Sequence, residues 1–118
     1  MYDKNLLLRD GTVNLTATET GAAVDYSQAG HWSITFEMTV PQATGTTPTL
    51  DAKIQVSDNG TTWRDWLFFR QATAAGVYHV TGANPARYRR MVATVGGTTP
   101  DFGKVTIGAV TGGAGTSF

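Results

Sequence analysis

Between residues 31 and 40, HWSITFEMTV, apolar and polar side chains alternate without interruption. Trp32, Ile34, Phe36, Met38 and Val40 point one way; His31, Ser33, Thr35, Glu37 and Thr39 point the other. That period of two is a strand with one buried face. Burying five such side chains contributes about 10 kcal/mol before entropy, at roughly 2 kcal/mol each. Pro41, which cannot donate to a ladder, ends the strand. A second alternation runs over residues 50–57, with Leu50, Ala52, Ile54 and Val56 against Asp51, Lys53, Gln55 and Ser57. Asp58, Asn59 and Gly60 then supply residues that tolerate positive φ, so the chain reverses there and returns through Trp63.

The remaining pattern is less regular. Val13, Leu15 and Ala17 predict a half-buried strand, residues 19–21 a turn, residues 22–26 a weaker strand and residues 27–30 another turn. Residues 42–48, QATGTTP, read as a flexible loop. Trp66, Leu67, Phe68 and Phe69 form a strand apolar on both faces. A turn at residues 73–76 leads to a strand at 77–80, and residues 82–85 close it. In residues 87–95, RYRRMVATV, Tyr88 has one parity and Met91, Ala93 and Val95 the other, which predicts a bulge near Arg89 and Arg90. Residues 96–100 read as a loop, and Val105, Ile107 and Ala109 mark the last strand. One internal echo stands out: Gly45-Thr46-Thr47-Pro48 recurs as Gly97-Thr98-Thr99-Pro100, each following a long apolar strand. No window carries apolar residues at helical spacing. The expectation is an all-β fold: a single antiparallel β-sandwich, jelly-roll-like, with about eight strands and no significant helix.

Three segments divide the 118 residues. Residues 1–12 are an N-terminal arm or first strand, in which Leu6, Leu7 and Leu8 are apolar on both faces of an extended stretch. Residues 13–111 are the sandwich. Residues 112–118, GGAGTSF after Thr111, are a Gly-rich tail whose Phe118 would serve as an anchor.

Composition narrows the chemistry. Charged residues make up 15% of the chain, and nine basic residues balance nine acidic ones. A neutral balance gives no electrostatic case for nucleic acid or membrane, and little protection against self-association. There is no cysteine, so no disulfide or thiolate chemistry. The leucine run is far shorter than a signal core or membrane span, which predicts synthesis in the cytoplasm without secretion by the general route. The sequons at Asn14 and Asn59 are then products of a Thr-rich chain.

Candidate catalytic and metal residues are sparse. His31 and His79 fall on polar parity, with no second ligand at metal spacing. Asp58, Asn59 and Asp65 miss the run of oxygen ligands and closing glutamate of a calcium loop, so the turn reading prevails. Glu37 and Asp51 would resemble a glycosidase pair if their strands were neighbours. Arg87, Arg89 and Arg90 are the one basic run, and pairing with acids on adjacent strands accounts for them more simply than RNA. Trp32 has core parity. Trp63, just after a turn, is the candidate sugar-stacking platform. These readings predict no enzyme, cofactor or metal.

The run LDAKIQVSDNGTTWRDW, then ATAAGVYHV, then ARYRRMVATVGGTTPDF resembles a recurring type of small phage virion protein. In that type a strand ends in Q-x-S-x-[DN]-G, a Trp closes the turn, an A-G turn follows, and a Y-x-R strand leads to G-T-x-P. Here the elements are Gln55, Ser57, Asn59, Gly60, Trp63, Ala75, Gly76, Tyr88, Arg90, Gly97, Thr98 and Pro100. The match spans roughly residues 33–110. It resembles head decoration (cement) proteins of tailed bacteriophages. The resemblance implies a protein of the virion's capsid surface that binds the major capsid protein lattice as a homo-oligomer, trimer or dimer, and stiffens it. The alternatives are a phage tail or head-tail connector protein and a carbohydrate-binding β-sandwich module. Leu6, Leu7, Leu8, Arg9, Trp66, Phe69 and Phe118 are the expected partner contacts.

Overall fold

A computed structural model describes residues 2–26 and 33–110, with side chains from Leu7 onward. The described residues form nine strands in order: β1 (Tyr2–Asp10), β2 (Glu19–Thr20), β3 (Val24–Asp25), β4 (Ile34–Val40), β5 (Thr44–Ser57), β6 (Arg64–Phe68), β7 (Gly76–Gly82), β8 (Tyr88–Asp101) and β9 (Thr106–Val110). No helix occurs among the described residues. One sheet has the order β1-β9-β4-β7, the other β2-β8-β5-β6 with β3 also pairing β8. Every pairing is antiparallel. The chain crosses between sheets at nearly every connection, and only β5 and β6 are consecutive neighbours. That wrapping is the double-sheet jelly roll, in which two facing sheets share one core.

The alternation of β4 does what its pattern dictates. Ile34, Phe36, Met38 and Val40 are buried and meet Leu50, Ala52, Ile54, Met91 and Ala93 of the opposite sheet in a single cluster. Ile107 and Ala109 of β9 join it, beside Met38 and Phe36 respectively. β4 ends at Val40, before Pro41. Trp32, His31 and the Gly-rich tail lie outside the described residues.

Several sequence expectations are corrected. Residues 13–18 form no strand: Val13 is 66% exposed, while Leu15 alone is buried, its backbone bonded to Phe102 and Gly103. Glu19 and Thr20, expected in a turn, pair instead with Ala93 and Val92. The loops expected at residues 42–48 and 96–100 are mostly strand: β5 begins at Thr44 and β8 runs on to Asp101. Glycine and proline ordinarily end strands, so the local pattern carries no sign of either continuation.

The bulge lies elsewhere than predicted. Residues 88–95 keep strict register with residues 50–57, and the inward set is Arg89, Met91 and Ala93. An arginine occupies a core position, so no extra residue is needed to restore parity. The irregularity falls instead on β6, where Ile54 pairs Leu67 and Gln55 pairs Asp65, leaving Trp66 as the added residue. This lets Trp66 and Leu67 both pack against the core. Phe68 then faces out at 61% exposure, and Phe69 turns in at 6%.

Candidate functional site

The residues with most chemistry gather on the β8-β5-β6 sheet. At its turn, Ser57 is buried and its Oγ accepts hydrogen bonds from the backbone N–H of Asn59 (3.3 Å) and Gly60 (2.9 Å). Asn59 Oδ1 accepts from Thr61 and Thr62 N–H, both at 2.9 Å. Gly60 sits at φ 80°, a conformation that suits glycine. The Tyr88 ring lies against this glycine, 3.8 Å from where a Cβ would stand.

From the turn a row of polar side chains crosses the solvent face. The Arg90 guanidinium lies 4.3 Å over the Trp63 ring, and its Nε donates to Gln55 Oε1 at 2.8 Å. Gln55 Nε2 donates to Asp65 Oδ1 at 2.9 Å, and Lys53 Nζ approaches the same carboxylate at 3.1 Å. Hydrogen bonds from Gln55, then from Lys53, hold the Asp65 carboxyl below its ordinary value of 3.8. A lowered carboxylate pKa contributes stability above the unfolded value, and that contribution is lost as pH falls through the folded one. Asp65→Asn is therefore expected to be less stable than wild type near neutrality, with the gap closing toward about pH 2 in urea titrations. An unchanged gap would mean that the carboxylate is not held by this row.

Beneath that face, Arg89 is fully buried. Its guanidinium carbon lies 4.6 Å from the Trp66 ring centroid, 4.8 Å from Tyr26 and 6.0 Å from Phe36. Phe36 meets Trp66 edge-on at 5.7 Å and Tyr26 at 5.9 Å. Nη2 donates to the Asn84 carbonyl at 2.7 Å. Burial pushes the arginine down to about 10. Three electron-rich faces thus replace part of the water that the cation gave up.

The three arginines consequently do not form one basic patch. Arg87 pairs with Asp25 at 2.8 Å on the surface, Arg89 is internal, and Arg90 stacks on Trp63. One face of the Trp63 indole is occupied by that stacking, and the ring is half-buried. Glu37 and Asp51 stand on different sheets: Glu37 Oε1 meets His79 Nε2 at 2.9 Å, and Asp51 accepts from Gln71 at 3.1 Å. Among the described residues no cluster of three or more acids or histidines could hold a metal ion.

The expected partner contacts are dispersed. Leu8 is buried in the core, and Leu7 is half-buried on β1. The Leu6 side chain and Phe118 lie outside the described part. Arg9 is buried: its side chain pairs with Glu19 at 2.9 Å and donates to the carbonyls of Val105 and Val13, bracing β1 against three neighbouring segments. Trp66 is half-buried in the arginine cage and Phe69 is buried, so the apolar strand spends those two rings inside. Among the described residues, the large apolar side chains left exposed are Val13, Phe68 and Val77. The bulge at Trp66 decides which phenylalanine faces out, and a strand apolar on both faces gives no sign of it.

Reasoning from sequence also missed a ribbon where β5 and β8 run on together, Thr44 opposite Asp101, Thr46 opposite Thr98 and Thr49 opposite Gly96. Thr47 and Thr99 both have φ 46°, unusual for a β-branched residue. The recurrence of GTTP was the available signal. No protein-family model matches the chain, and no curated protein is similar to it in sequence.

Proposed function

We propose that the chain is a phage head decoration protein. It would dock as a homo-oligomer on the outer surface of a major capsid protein lattice and stiffen the head without chemistry. The observation that carries this reading is convergence. Gln55, Ser57, Asn59, Gly60 and Trp63 of one hairpin and Tyr88 and Arg90 of the neighbouring strand, the centre of the resemblance, form one contacting assembly around the β5–β6 turn. Gly97, Thr98 and Pro100 continue the same strand. That the members form one local unit supports reading them as a single architectural motif. The double-sheet jelly roll is also an architecture common among viral capsid domains, which is analogy at the level of fold only. Multivalent placement over capsomer junctions would make a modest interface effective.

The test is to count copies per particle by quantitative mass spectrometry on virions of the phage that encodes the chain. Hundreds of copies on heads are expected. A handful confined to tails would favour the connector or tail role. Absence from particles, with glycan binding that quenches tryptophan fluorescence, would replace the proposal with a carbohydrate-binding role. Deleting residues 1–10 is a poor probe of docking, because β1 pairs β9 and Arg9 is part of the fold.

A further inference from the structure

The turn between β5 and β6 holds an Asn-Gly pair, and that pair carries a chemistry of its own. The side-chain amide of Asn59 presents an electrophilic carbon, Cγ, and the backbone nitrogen of Gly60 is the nucleophile next to it along the chain. Glycine has no Cβ to hinder closure of a five-membered ring between them. In that step Gly60 N loses its proton to solvent base and attacks Cγ. A C–N bond forms, the Cγ–Nδ2 bond breaks, and the leaving nitrogen takes a proton from solvent and departs as ammonia. Water then opens the succinimide at either carbonyl, giving aspartate or isoaspartate. The sum is one water consumed and one ammonia released, with no oxidant or reductant.

Solvent access does not restrain this reaction, since Asn59 is exposed and Gly60 only half-buried. Hydrogen bonding does. The Gly60 N–H donates to Ser57 Oγ at 2.9 Å, and the Asn59 N–H donates to the same oxygen at 3.3 Å. The Ser57 hydroxyl in turn donates to Asn59 Oδ1 at 3.0 Å, where the Thr61 and Thr62 N–H groups also converge. One serine side chain therefore grips the nucleophile and the electrophile together. Ser57 is itself fixed, being buried at the end of β5 opposite Tyr88. The bonds to Oδ1 polarise Cγ, which favours attack, but the ring closes only when the side-chain amide swings over Gly60 N. That swing breaks the bonds to Oδ1 and frees the nitrogen from the serine.

We infer that Asn59 is a self-deamidating modification site that Ser57 keeps closed, and that opening of the β5–β6 turn, not access of water, sets its rate. The two products differ in consequence. Aspartate at residue 59 keeps an oxygen for Thr61 and Thr62. Isoaspartate adds a methylene to the main chain, which breaks the bonds to Ser57 and moves Trp63 out of register with Arg90.

The experiment incubates the intact chain in mildly alkaline buffer and follows residue 59 by peptide mapping and isoaspartate detection. Four samples are compared: folded wild type, wild type in urea, Ser57→Ala, and Ile107→Val as a core change on the other sheet. Circular dichroism checks that the variants fold. Ser57→Ala is expected to deamidate about ten-fold faster than folded wild type, the effect of losing hydrogen bonds that hold the turn. Wild type in urea should be at least as fast as Ser57→Ala, and Ile107→Val as slow as wild type. Equal rates for wild type with and without urea overturn the protection, whether or not Ser57→Ala folds. A folded Ser57→Ala at the wild-type rate, or an Ile107→Val as fast as Ser57→Ala, overturns the local latch.

Discussion

Arg89→Ala is expected to cost about 3–5 kcal/mol, a large part of the stability of a domain this size. The residue is fully buried between Trp66 and Tyr26 with Phe36 behind. Truncation would leave a void lined by three rings and an Asn84 carbonyl without its donor. Arg89→Met fills the same space with an uncharged chain and is expected to stay within about 1.5 kcal/mol of wild type. Urea unfolding separates the two. The pH dependence has a definite sign. The folded guanidinium, pushed down to about 10 by burial, releases its proton more readily than the unfolded one at its higher ordinary value. Below the folded value both states hold the proton and the burial penalty is complete. Between the two values the unfolded chain holds more protons, so wild type gains stability relative to Arg89→Met as pH rises. Comparing the pair at about pH 8 and about pH 11 should show the difference moving toward wild type. A constant difference would mean that the buried guanidinium keeps its proton across that range.

Gly45→Ala and Gly97→Ala are expected to be nearly equal in effect, at about 3 kcal/mol each. A Cβ on Gly45 would stand 2.6 Å from the Thr99 carbonyl oxygen and 2.7 Å from that of Thr98. One on Gly97 would stand 2.7 Å from the Thr47 oxygen and 2.9 Å from that of Thr46. Each glycine is thus closed in by the other segment's backbone, which cannot move aside as a flexible side chain would. Both also have φ near 105°, outside the range open to alanine without strain. Thr47→Gly and Thr99→Gly should go the other way, gaining up to about 1 kcal/mol by releasing the left-handed strain. Denaturant midpoints for the four variants provide the check. A silent Gly45→Ala beside a costly Gly97→Ala would refute the reciprocal contact.

Where side-chain type and period agreed, the fold was legible in the sequence. The inward face of β4, the residues 50–57 alternation and the Asn59–Gly60 reversal all follow from local rules, and the two-sheet sandwich follows from their number. Where a residue broke its type's usual habit, the pattern misled. An arginine inside the core was read as a bulge, since burying a cation is costly unless something replaces its hydration. Here the replacement comes from Tyr26, Phe36 and Trp66, residues remote in sequence, and no window along the chain could reveal it. The ribbon was hidden for a related reason. Glycine and proline end strands in isolation, but two copies of one bulged segment can accommodate each other. Arg9 likewise looked like an arm's surface charge until Glu19 and two carbonyls gathered around it.

The pairing of β1 with β9 also orders events in time. β1 leaves the ribosome first, and the strand that receives it is the last of the nine. β9 is also the strand that joins β1 to β4, so the four-stranded sheet can close only after all the described strands, β1 to β9, have been made. By contrast, the β5–β6 hairpin needs only local sequence and can form early. Such a wrapped topology folds slowly, over about milliseconds to seconds for sandwiches of this kind. During synthesis the apolar Leu6-Leu7-Leu8 run waits without its strand partner, and that interval is where the nascent chain is most exposed to aggregation.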